Sequence, residues 1–330
     1  MEETEDLSAR VEPLPADIKD IQPGGGACMR IELAWGRWRR WYLKTFRRGY
    51  VAKMQQTREG TANDCPHEVL DPRDVKFYRN QGGYTWSPEN DPFTWRDRLP
   101  FARAGLAELL ILGGSIFALT AALAFLFWPL AIPLAVVGIL VVWFFRDPKR
   151  QVPTDPLCVV SPADGHISSI EEVDDEFIGR PAVLIGIFLS IFDVHINRMP
   201  MDAKVVGLRY RRGKFLNALR PESARENEQM EIRLVRNSAP HYPIIVRQIA
   251  GAIARRIVCW VGPGETLNRG DQFGMIKLGS RTELIVPKED GLEILVSMGQ
   301  KVEAGSTILA QYSLAQEEKA AEADTEQDPH

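Results

Sequence analysis

The chain has 330 residues, of which 45% are hydrophobic, so it holds enough apolar material for one large globular domain or two ordinary ones. Its formal net charge of −4 argues against a protein that coats nucleic acid, although the charge is distributed unevenly along the chain. The four cysteines lie far apart without a CxxC pair, which argues against a zinc ribbon or a small disulfide scaffold, and we interpret them as reduced thiols.

The two ends of the chain are polar and acidic. Residues 1–29 carry three prolines and a run of three glycines, and they lack the basic start and apolar core of a secretory signal. Residues 315–330 contain six acidic residues and one lysine. Neither segment has enough apolar surface to bury, so we expect a disordered acidic leader and a disordered acidic tail.

Residues 30–105 form an N-terminal region of unknown role that opens with a basic, aromatic stretch. Residues 30–53 contain eight lysines or arginines and one glutamate, interleaved with six aromatic side chains. This pattern fits an amphipathic helix in a membrane interface, a basic helix packed through an aromatic stripe, or a surface for single-stranded nucleic acid. Because a long apolar segment follows, we favour the membrane interface and expect no nucleic-acid partner. Cys65 and His67 have no further ligands nearby, so we predict no metal site.

Residues 106–145 contain an uncharged run of 37 residues, from Leu109 to Phe145. A single helix of that length would extend about 56 Å, almost twice the thickness of the bilayer hydrocarbon. We therefore predict a transmembrane helical hairpin, spanning or re-entrant, that is broken near its middle by Pro129 and Pro133. A buried helical pair in a soluble core is the alternative, but core helices rarely run this far without a charge.

Basic residues flank this hairpin on both sides, in residues 30–53 and in residues 146–150. Positively charged flanks stay on the cytoplasmic side of a membrane. We therefore place both ends of the hairpin, and the domain that follows it, on the cytoplasmic side of the inner cell membrane.

Residues 146–314 consist of short β-like runs separated by Gly, Pro and Asp. Strands at close, fairly even spacing with turn residues between them are typical of a sandwich or barrel. We predict an α+β fold, mostly β, in which a barrel-sandwich-like mixed β domain follows the transmembrane hairpin, with a helix near residues 221–229. The stretch LEILVSMGQKVEAGSTILAQ has the glycine rhythm of a lipoyl-type hairpin, although no lysine lies at an exposed tip.

Three polar residues in this β-rich half follow apolar runs, where a rigid strand can aim a side chain. Asp164 lies in SPADG, His195 lies in DVHINRMP, and Ser280 follows GMIKLG. An Asp, a His and a Ser suggest a hydrolase triad, but Ser280 lacks the G-x-S-x-G elbow that exposes the nucleophile of such enzymes. The three residues are candidates for an acid, a base and a nucleophile.

Five short motifs resemble, in their order, those of the phosphatidylserine decarboxylases, and in particular the short form of the proenzyme. The resemblance covers about residues 144 to 313, and its motifs are FFRDP (144–148), SPADG (161–165), FDVHINRMP (192–200), ARRIVCWVG (254–262) and FGMIKLGSR (273–281). A lone Gly-Ser pair would have no specificity, whereas five motifs in register are highly specific.

The resemblance implies that the chain cuts itself between Gly279 and Ser280, giving a large chain 1–279 and a small chain 280–330. Ser280 would attack the Gly279 carbonyl, with His195 as base and Asp164 as the acid that orients it. A glycine suits the position before the serine, because it permits an unusual backbone conformation and a close approach. Elimination and hydrolysis would then turn Ser280 into a covalent pyruvoyl group, the cofactor of the family.

A pyruvoyl group gives the reaction an electron sink that ordinary side chains lack. Its keto carbon condenses with the amine of phosphatidylserine and delocalises the electrons left when CO₂ departs, so no separate cofactor is needed. His195 is the acid expected to protonate the Cα carbon after CO₂ has left, and hydrolysis would then release phosphatidylethanolamine. For the lipid phosphate the sequence offers Arg198, Lys204 and Arg256 as cationic ligands.

One position departs from the family pattern. Longer members carry two histidines, as in H-x-x-H-M-P, whereas here Arg198 takes the place of the second. His195 must then serve both self-cleavage and decarboxylation, or another group must help. His166 and His241 are the available helpers, although each is more typical of a surface or turn histidine.

The expected partners are phosphatidylserine, membrane lipid and the two chains of the cut proenzyme, and the sequence leaves a homo-oligomer open. The competing hypothesis is a membrane-anchored barrel-sandwich adaptor, or a lipid-binding protein without catalysis.

Overall fold

A computed structural model describes residues 11–13, 26–60, 67–75, 84–218, 220, 222–252, 256–277 and 279–313. Within these ranges the chain has a mixed α/β fold that is mostly β and contains several sheets, as predicted. Most of the leader, all of the tail from residue 315 and Cys65 lie outside the described residues, so the predictions made for them stay predictions.

The N-terminal region is helical and is held together by buried charges. Arg39 and Arg40 both form ion pairs with the buried carboxylate of Asp74. Leu43, Val51 and Leu70 form a small apolar cluster beside them. The elements here are α1 (Gly26–Phe46), α2 (Arg48–Gln56), β1 (Glu59–Gly60), α3 (Pro72–Val75), β2 (Tyr84–Thr85), which pairs with β1, and a 3₁₀ helix (Thr94–Arg98).

The apolar segment forms two helices that meet at Phe127. The first runs from Arg103 to Leu126 and is long and apolar enough to cross a membrane, judged by length and composition alone. The second is shorter. The first contains a 3₁₀ turn (Arg103–Gly105), α4 (Leu106–Glu108), a π-helical turn (Leu109–Gly113) and α5 (Gly114–Leu126), and the second is α6 (Trp128–Phe144).

The break between these helices lies near the middle of the apolar run, as predicted, but Pro133 takes no part in it. Pro129 occupies the first turn of α6, and Pro133 lies inside that helix. The physical reason is that the first turn of a helix leaves its N–H groups unpaired, so Pro129 loses no hydrogen bond there. At Gly138 a Cβ atom would lie 3.0 Å from the Phe117 ring, so the two helices are in close contact.

The β-rich half begins after residue 146 and supplies fourteen strands and one short helix among the described residues. The predicted helix near residues 221–229 is present as α7 (Ser223–Glu226). The strands are β3 (Cys158–Val160), β4 (Gly165–Asp174), β5 (Pro181–Leu189), β6 (Ile196–Arg198), β7 (Ala203–Arg211), β8 (Gln229–Arg236), β9 (Pro243–Ile249), β10 (Arg256–Cys259), β11 (Thr266–Leu267), β12 (Gln272–Lys277), β13 (Ser280–Pro287), β14 (Glu293–Ile294), β15 (Lys301–Val302) and β16 (Ile308–Gln311).

These strands form one large sheet and two small ones. The large sheet has eight strands in the order β11-β7-β8-β9-β13-β5-β4-β15, and the small sheets have the orders β10-β12-β6 and β14-β16-β3. Each of these strand pairs is antiparallel. Strand β13 lies in the interior of the large sheet, and all its residues are buried.

The base of the apolar hairpin packs against the sheet β10-β12-β6. Phe144 and Phe145 share an apolar cluster with Ile196, Val258 and Met275 of that sheet, and with Val194 just before β6. The hairpin is therefore joined to the strand that begins directly after His195.

Candidate active site

The predicted scissile bond lies at the start of an interior strand. Gly279 has a φ of +64°, in the left-handed region that favours glycine. Ser280 opens β13 and is fully buried, and its Oγ has no hydrogen-bond partner among the described residues. Leaving a buried hydroxyl unpaired costs about 1–3 kcal/mol, so such a group calls for a functional reason.

His195 lies directly beside this bond. Its Nδ1 is 2.9 Å from the Asp193 carbonyl oxygen, and its Nε2 accepts the Gly279 N–H at 3.3 Å. The first contact requires the proton on Nδ1, so Nε2 carries the lone pair of a neutral imidazole. The Asp193 carboxylate in turn accepts hydrogen bonds from the N–H and hydroxyl of Ser190, which hold the loop before His195.

Burial keeps the His195 imidazole neutral. The side chain is fully buried, and this desolvation lowers its pKa to about 4 despite the nearby Asp193. At neutral pH the imidazole is therefore uncharged, and its free nitrogen Nε2 faces the Gly279 N–H.

The end of the apolar hairpin forms one wall of the site. The Phe144 and His195 rings lie 4.5 Å apart between centroids. Trp143 Nε1 and Arg146 Nη2 both donate hydrogen bonds to the Phe192 carbonyl, at 3.2 and 2.8 Å. The loop that carries His195 is thus attached to the point where the hairpin ends.

A glycine that the sequence did not single out lies against the Gly279 carbonyl. A Cβ atom built on Gly251 would lie only 1.6 Å from the Gly279 carbonyl oxygen. No side chain larger than hydrogen fits there without moving the backbone. Gly251 lies between two of the quoted motifs, and nothing in its local sequence marks it.

Buried side-chain amides contact β13 at Thr282, two residues after Ser280. Asn197 Nδ2 donates to the Thr282 hydroxyl at 3.1 Å, and Gln248 Nε2 donates to Asn197 Oδ1 at 2.9 Å. All three side chains are buried. Asn197 lies inside a quoted motif and could have been found from it, whereas Gln248 and Thr282 carry no such signal.

Comparisons with known proteins agree on one family. The family model for phosphatidylserine decarboxylase matches residues 137–310. This chain belongs to the phosphatidylserine decarboxylase family. It is 52% identical to a phosphatidylserine decarboxylase proenzyme of Rhodopirellula baltica, over 72% of this chain and 99% of the relative. It is also 43% identical to the proenzyme of Chlorobium phaeobacteroides, over 59% of this chain and 92% of the relative, and 40% identical to that of Syntrophus aciditrophicus, over 68% and 100%.

Within this decarboxylase-family site, Asp164 makes its hydrogen bonds to groups other than His195. Its carboxylate accepts two bonds from Arg150 Nη2, at 2.8 and 2.9 Å, and one from the Ala304 N–H at 2.8 Å. Burial raises the pKa of Asp164, while the Ala304 N–H and the Arg150 guanidinium act in the opposite direction. The carboxylate therefore links the segment after the hairpin to the turn before β16.

Arg198, at the position where we expect the longer family members to carry a second histidine, connects two of the motifs. Its Nη2 donates to Asp147 Oδ1 at 2.7 Å and its Nη1 donates to the Gly270 carbonyl at 2.9 Å. Asp147 also accepts a bond from Gln272 at 2.5 Å. Arg198 thus has a structural role in linking FFRDP to the strand after His195.

Of the other two cations proposed for the phosphate, only Arg256 lies near the scissile bond. It is buried and pairs in register with Lys277, two residues before Gly279. Lys204 lies on β7, three strands or about 14 Å from β13. Lys204 lies opposite Val235 on β8, and Val235 lies opposite Pro243 at the start of β9. The other end of β9, at Ile249, is the end that lies beside Ser280. The structure therefore does not bring Lys204 into this site.

The two helper histidines lie away from the scissile bond. His166 is exposed, and it lies opposite Phe188, which in turn lies opposite Arg281 on β13. Residues opposite each other point to the same face of a sheet, and neighbours along a strand point to opposite faces, so His166 lies on the face away from Ser280. The ring of His241 contacts the Arg236 carbonyl in the turn between β8 and β9. Among the described residues, no group of three or more His, Cys, Asp or Glu side chains could hold a metal ion.

Proposed function

We propose that this chain is a self-processing, pyruvoyl-dependent decarboxylase that converts phosphatidylserine to phosphatidylethanolamine and CO₂. The observation that carries the proposal is the buried Oγ of Ser280 directly after Gly279, which has no hydrogen-bond partner in the part of the chain that the structure describes, together with a neutral imidazole nitrogen 3.3 Å from the Gly279 nitrogen. The relatives support it, since they are named phosphatidylserine decarboxylase proenzymes and match this chain at up to 52% identity.

Self-cleavage uses groups that this chain holds in place. Ser280 Oγ attacks the Gly279 carbonyl carbon while His195 Nε2 takes the hydroxyl proton. The same proton is returned to the Ser280 nitrogen as the peptide C–N bond breaks, which leaves Gly279 esterified to Ser280. Loss of the Ser280 Cα proton then expels the Gly279 carboxylate, and water replaces the nitrogen as ammonia. The burial of both side chains excludes competing water from the first step.

The position of Ser280 suits a pyruvoyl group. The residue is buried, its side-chain oxygen has no competing hydrogen bond among the described residues, and Gly251 leaves space at the carbonyl before it. When present there, the group would supply an electrophilic carbonyl that accepts the electrons released as CO₂ departs. His195, after losing its contact with Gly279, can deliver the proton that the product carbon needs.

A single histidine performs both proton transfers in this proposal. Arg198 is held by Asp147 and Gly270, and the two other described histidines of the β-rich half lie away from the bond, so His195 is the base at hand. We propose that Asp164 acts indirectly, by fixing Arg150 and the turn at Ala304. Arg256 is the cation we propose near the lipid phosphate.

We propose that the apolar hairpin anchors the enzyme in the inner cell membrane with its catalytic domain on the cytoplasmic side. The basic residues on both flanks of the hairpin support this orientation. The contact between Phe144 and His195 supports the anchoring role, because it puts the base at the end of the helix where lipid head groups would lie.

Intact-mass spectrometry of the purified protein tests the proposal. We expect two chains cut between Gly279 and Ser280, the small one lighter by one ammonia than a peptide that begins with serine. The Ser280→Ala variant should remain one chain of full mass and release no CO₂ from phosphatidylserine vesicles. A single uncut wild-type chain would refute the mechanism and leave a membrane-anchored lipid-binding domain without an electron sink.

A further inference from the structure

Helix α1 carries a ladder of aromatic rings on an exposed face. Trp35, Trp38, Tyr42 and Phe46 follow the spacing i, i+3, i+7, i+11, which aligns them along one side of a helix. Consecutive rings lie 4.9, 5.8 and 5.4 Å apart between centroids. Together with Trp41 they are between 38% and 63% exposed, although aromatic side chains this large are usually well buried.

The neighbouring face of α1 is already occupied by the protein. Arg39 and Arg40 reach the buried Asp74, and Leu43 packs in the small cluster with Val51. These contacts fix the rotation of the helix, so the ladder is directed away from the packed side. The aromatic face is therefore not the core stripe that the sequence allowed as an alternative.

A line of basic residues borders the ladder on its other side. Arg30, Arg37 and Lys44 are spaced seven residues apart, so they fall on one line of the helix, and all three are exposed. At 100° per residue, Trp41 lies between this line and the ladder. Lys44 also forms an ion pair with Glu68, and both side chains remain about half exposed.

We propose that the aromatic face of α1 lies in the interface of a phospholipid bilayer, with the basic line facing anionic head groups. Tryptophan and tyrosine concentrate at the membrane interface, and each nearby lysine or arginine is attracted to an anionic leaflet. The serine phospholipid is itself anionic, so this helix would strengthen contact with membranes rich in substrate. The inference depends on the proposed function for the presence of a membrane and for the identity of that lipid.

Tryptophan emission from the full chain in vesicles tests this contact. The vesicles contain phosphatidylcholine brominated in its acyl chains, with or without phosphatidylglycerol, an anionic lipid that is not the substrate. The difference in emission between the parent chain and a variant with Trp35, Trp38 and Trp41 each changed to Phe reports α1 alone. We expect brominated lipid to quench this difference at least about two-fold, and further when phosphatidylglycerol is present.

Trp95→Phe is the matched control, because Trp95 is 53% exposed but lies outside α1. The difference in emission between the parent chain and the Trp95→Phe variant should not change when brominated lipid is present. The single variant Trp38→Phe repeats the measurement if the triple variant folds poorly. The whole series uses the Ser280→Ala chain, so a failure of self-cleavage or decarboxylation cannot affect the result.

Three outcomes would overturn the proposal. Quenching of α1 by iodide but not by brominated lipid would show that the ladder faces water. If neither iodide nor brominated lipid quenches the tryptophans of α1, both in detergent and in vesicles, a second protein chain covers the aromatic ladder. A response only to an added single-stranded oligonucleotide would favour a nucleic-acid surface instead.

Discussion

Replacing Gly251 by alanine should slow self-cleavage strongly while the chain still folds. The new Cβ would lie 1.6 Å from the Gly279 carbonyl oxygen, whereas real Cβ atoms keep at least 3.0 Å, so the two must separate by about 1.4 Å. The Gly279 carbonyl is the group that Ser280 attacks in the proposed reaction. A misplacement of about 1 Å commonly costs about 100-fold in rate, equivalent to about 2.7 kcal/mol of activation free energy.

The rate can be followed in a cell-free translation reaction supplied with phospholipid vesicles. A denaturing gel then resolves the uncut chain from the chain 1–279 over time, for the wild type and for Gly251→Ala. Gly49→Ala is the matched control, since among the described residues its new Cβ would meet no atom within 4 Å apart from its chain neighbours and the backbone of its own helix. This control should be cut at the wild-type rate.

A folding defect must be separated from a defect in chemistry. Overpacking of this size costs about 1–3 kcal/mol of stability, so the thermal transition of Gly251→Ala should lie below that of uncut Ser280→Ala but remain cooperative. Cleavage of a folded Gly251→Ala chain at the wild-type rate would refute the reasoning. It would mean that the scissile carbonyl reacts from a position other than the one it occupies beside Gly251.

Three further variants probe the base and its surroundings. Because burial lowers the His195 pKa to about 4, self-cleavage should keep a constant rate from about pH 8 to about pH 5, and a rate that halves near pH 6.5 would contradict this. The free energy of unfolding should fall by about 3 kcal/mol as the pH drops from about 6.5 to about 4, because the histidine binds a proton in the unfolded chain but not in the folded one. Thermal unfolding of the Ser280→Ala chain at several pH values should show this loss of stability. Adding His195→Gln should remove the pH dependence. Phe144→Ala exposes the His195 imidazole, so the pKa of His195 should rise towards 6.5 and cleavage should slow below about pH 6.5. An unchanged pH profile would show that Phe144 does not cause the lowered pKa of His195. Phe192→Ser removes an exposed side chain but leaves the carbonyl that Trp143 and Arg146 bind, so cleavage should be unchanged, and slower cleavage would show that the side chain itself positions the loop.

Much of the fold class was readable from local patterns. An uncharged run of 37 residues has few structures available other than apolar helices, and the spacing of turn residues after residue 146 predicts short strands. The break near the middle of this run was predicted, but Pro133 was wrongly assigned to it, because a proline inside a helix and a proline at a helix boundary look alike in sequence. The order of the eight strands was not predictable either, since it depends on which apolar faces pack together.

The sequence by itself was enough to propose a scissile bond and its base. Gly279, Ser280 and His195 lie in short ordered motifs, and the chemistry proposed for them follows from residue type and local order. Only the tertiary structure decided their contacts. His195 and Gly279 are 84 residues apart, and Asp164 and Ala304 are 140 apart. Gly251 has no chemical signature at all, because its role is to leave space. Contacts of this kind are set by the register of antiparallel strands, where a shift of one residue would turn Ser280 to the other face of the sheet.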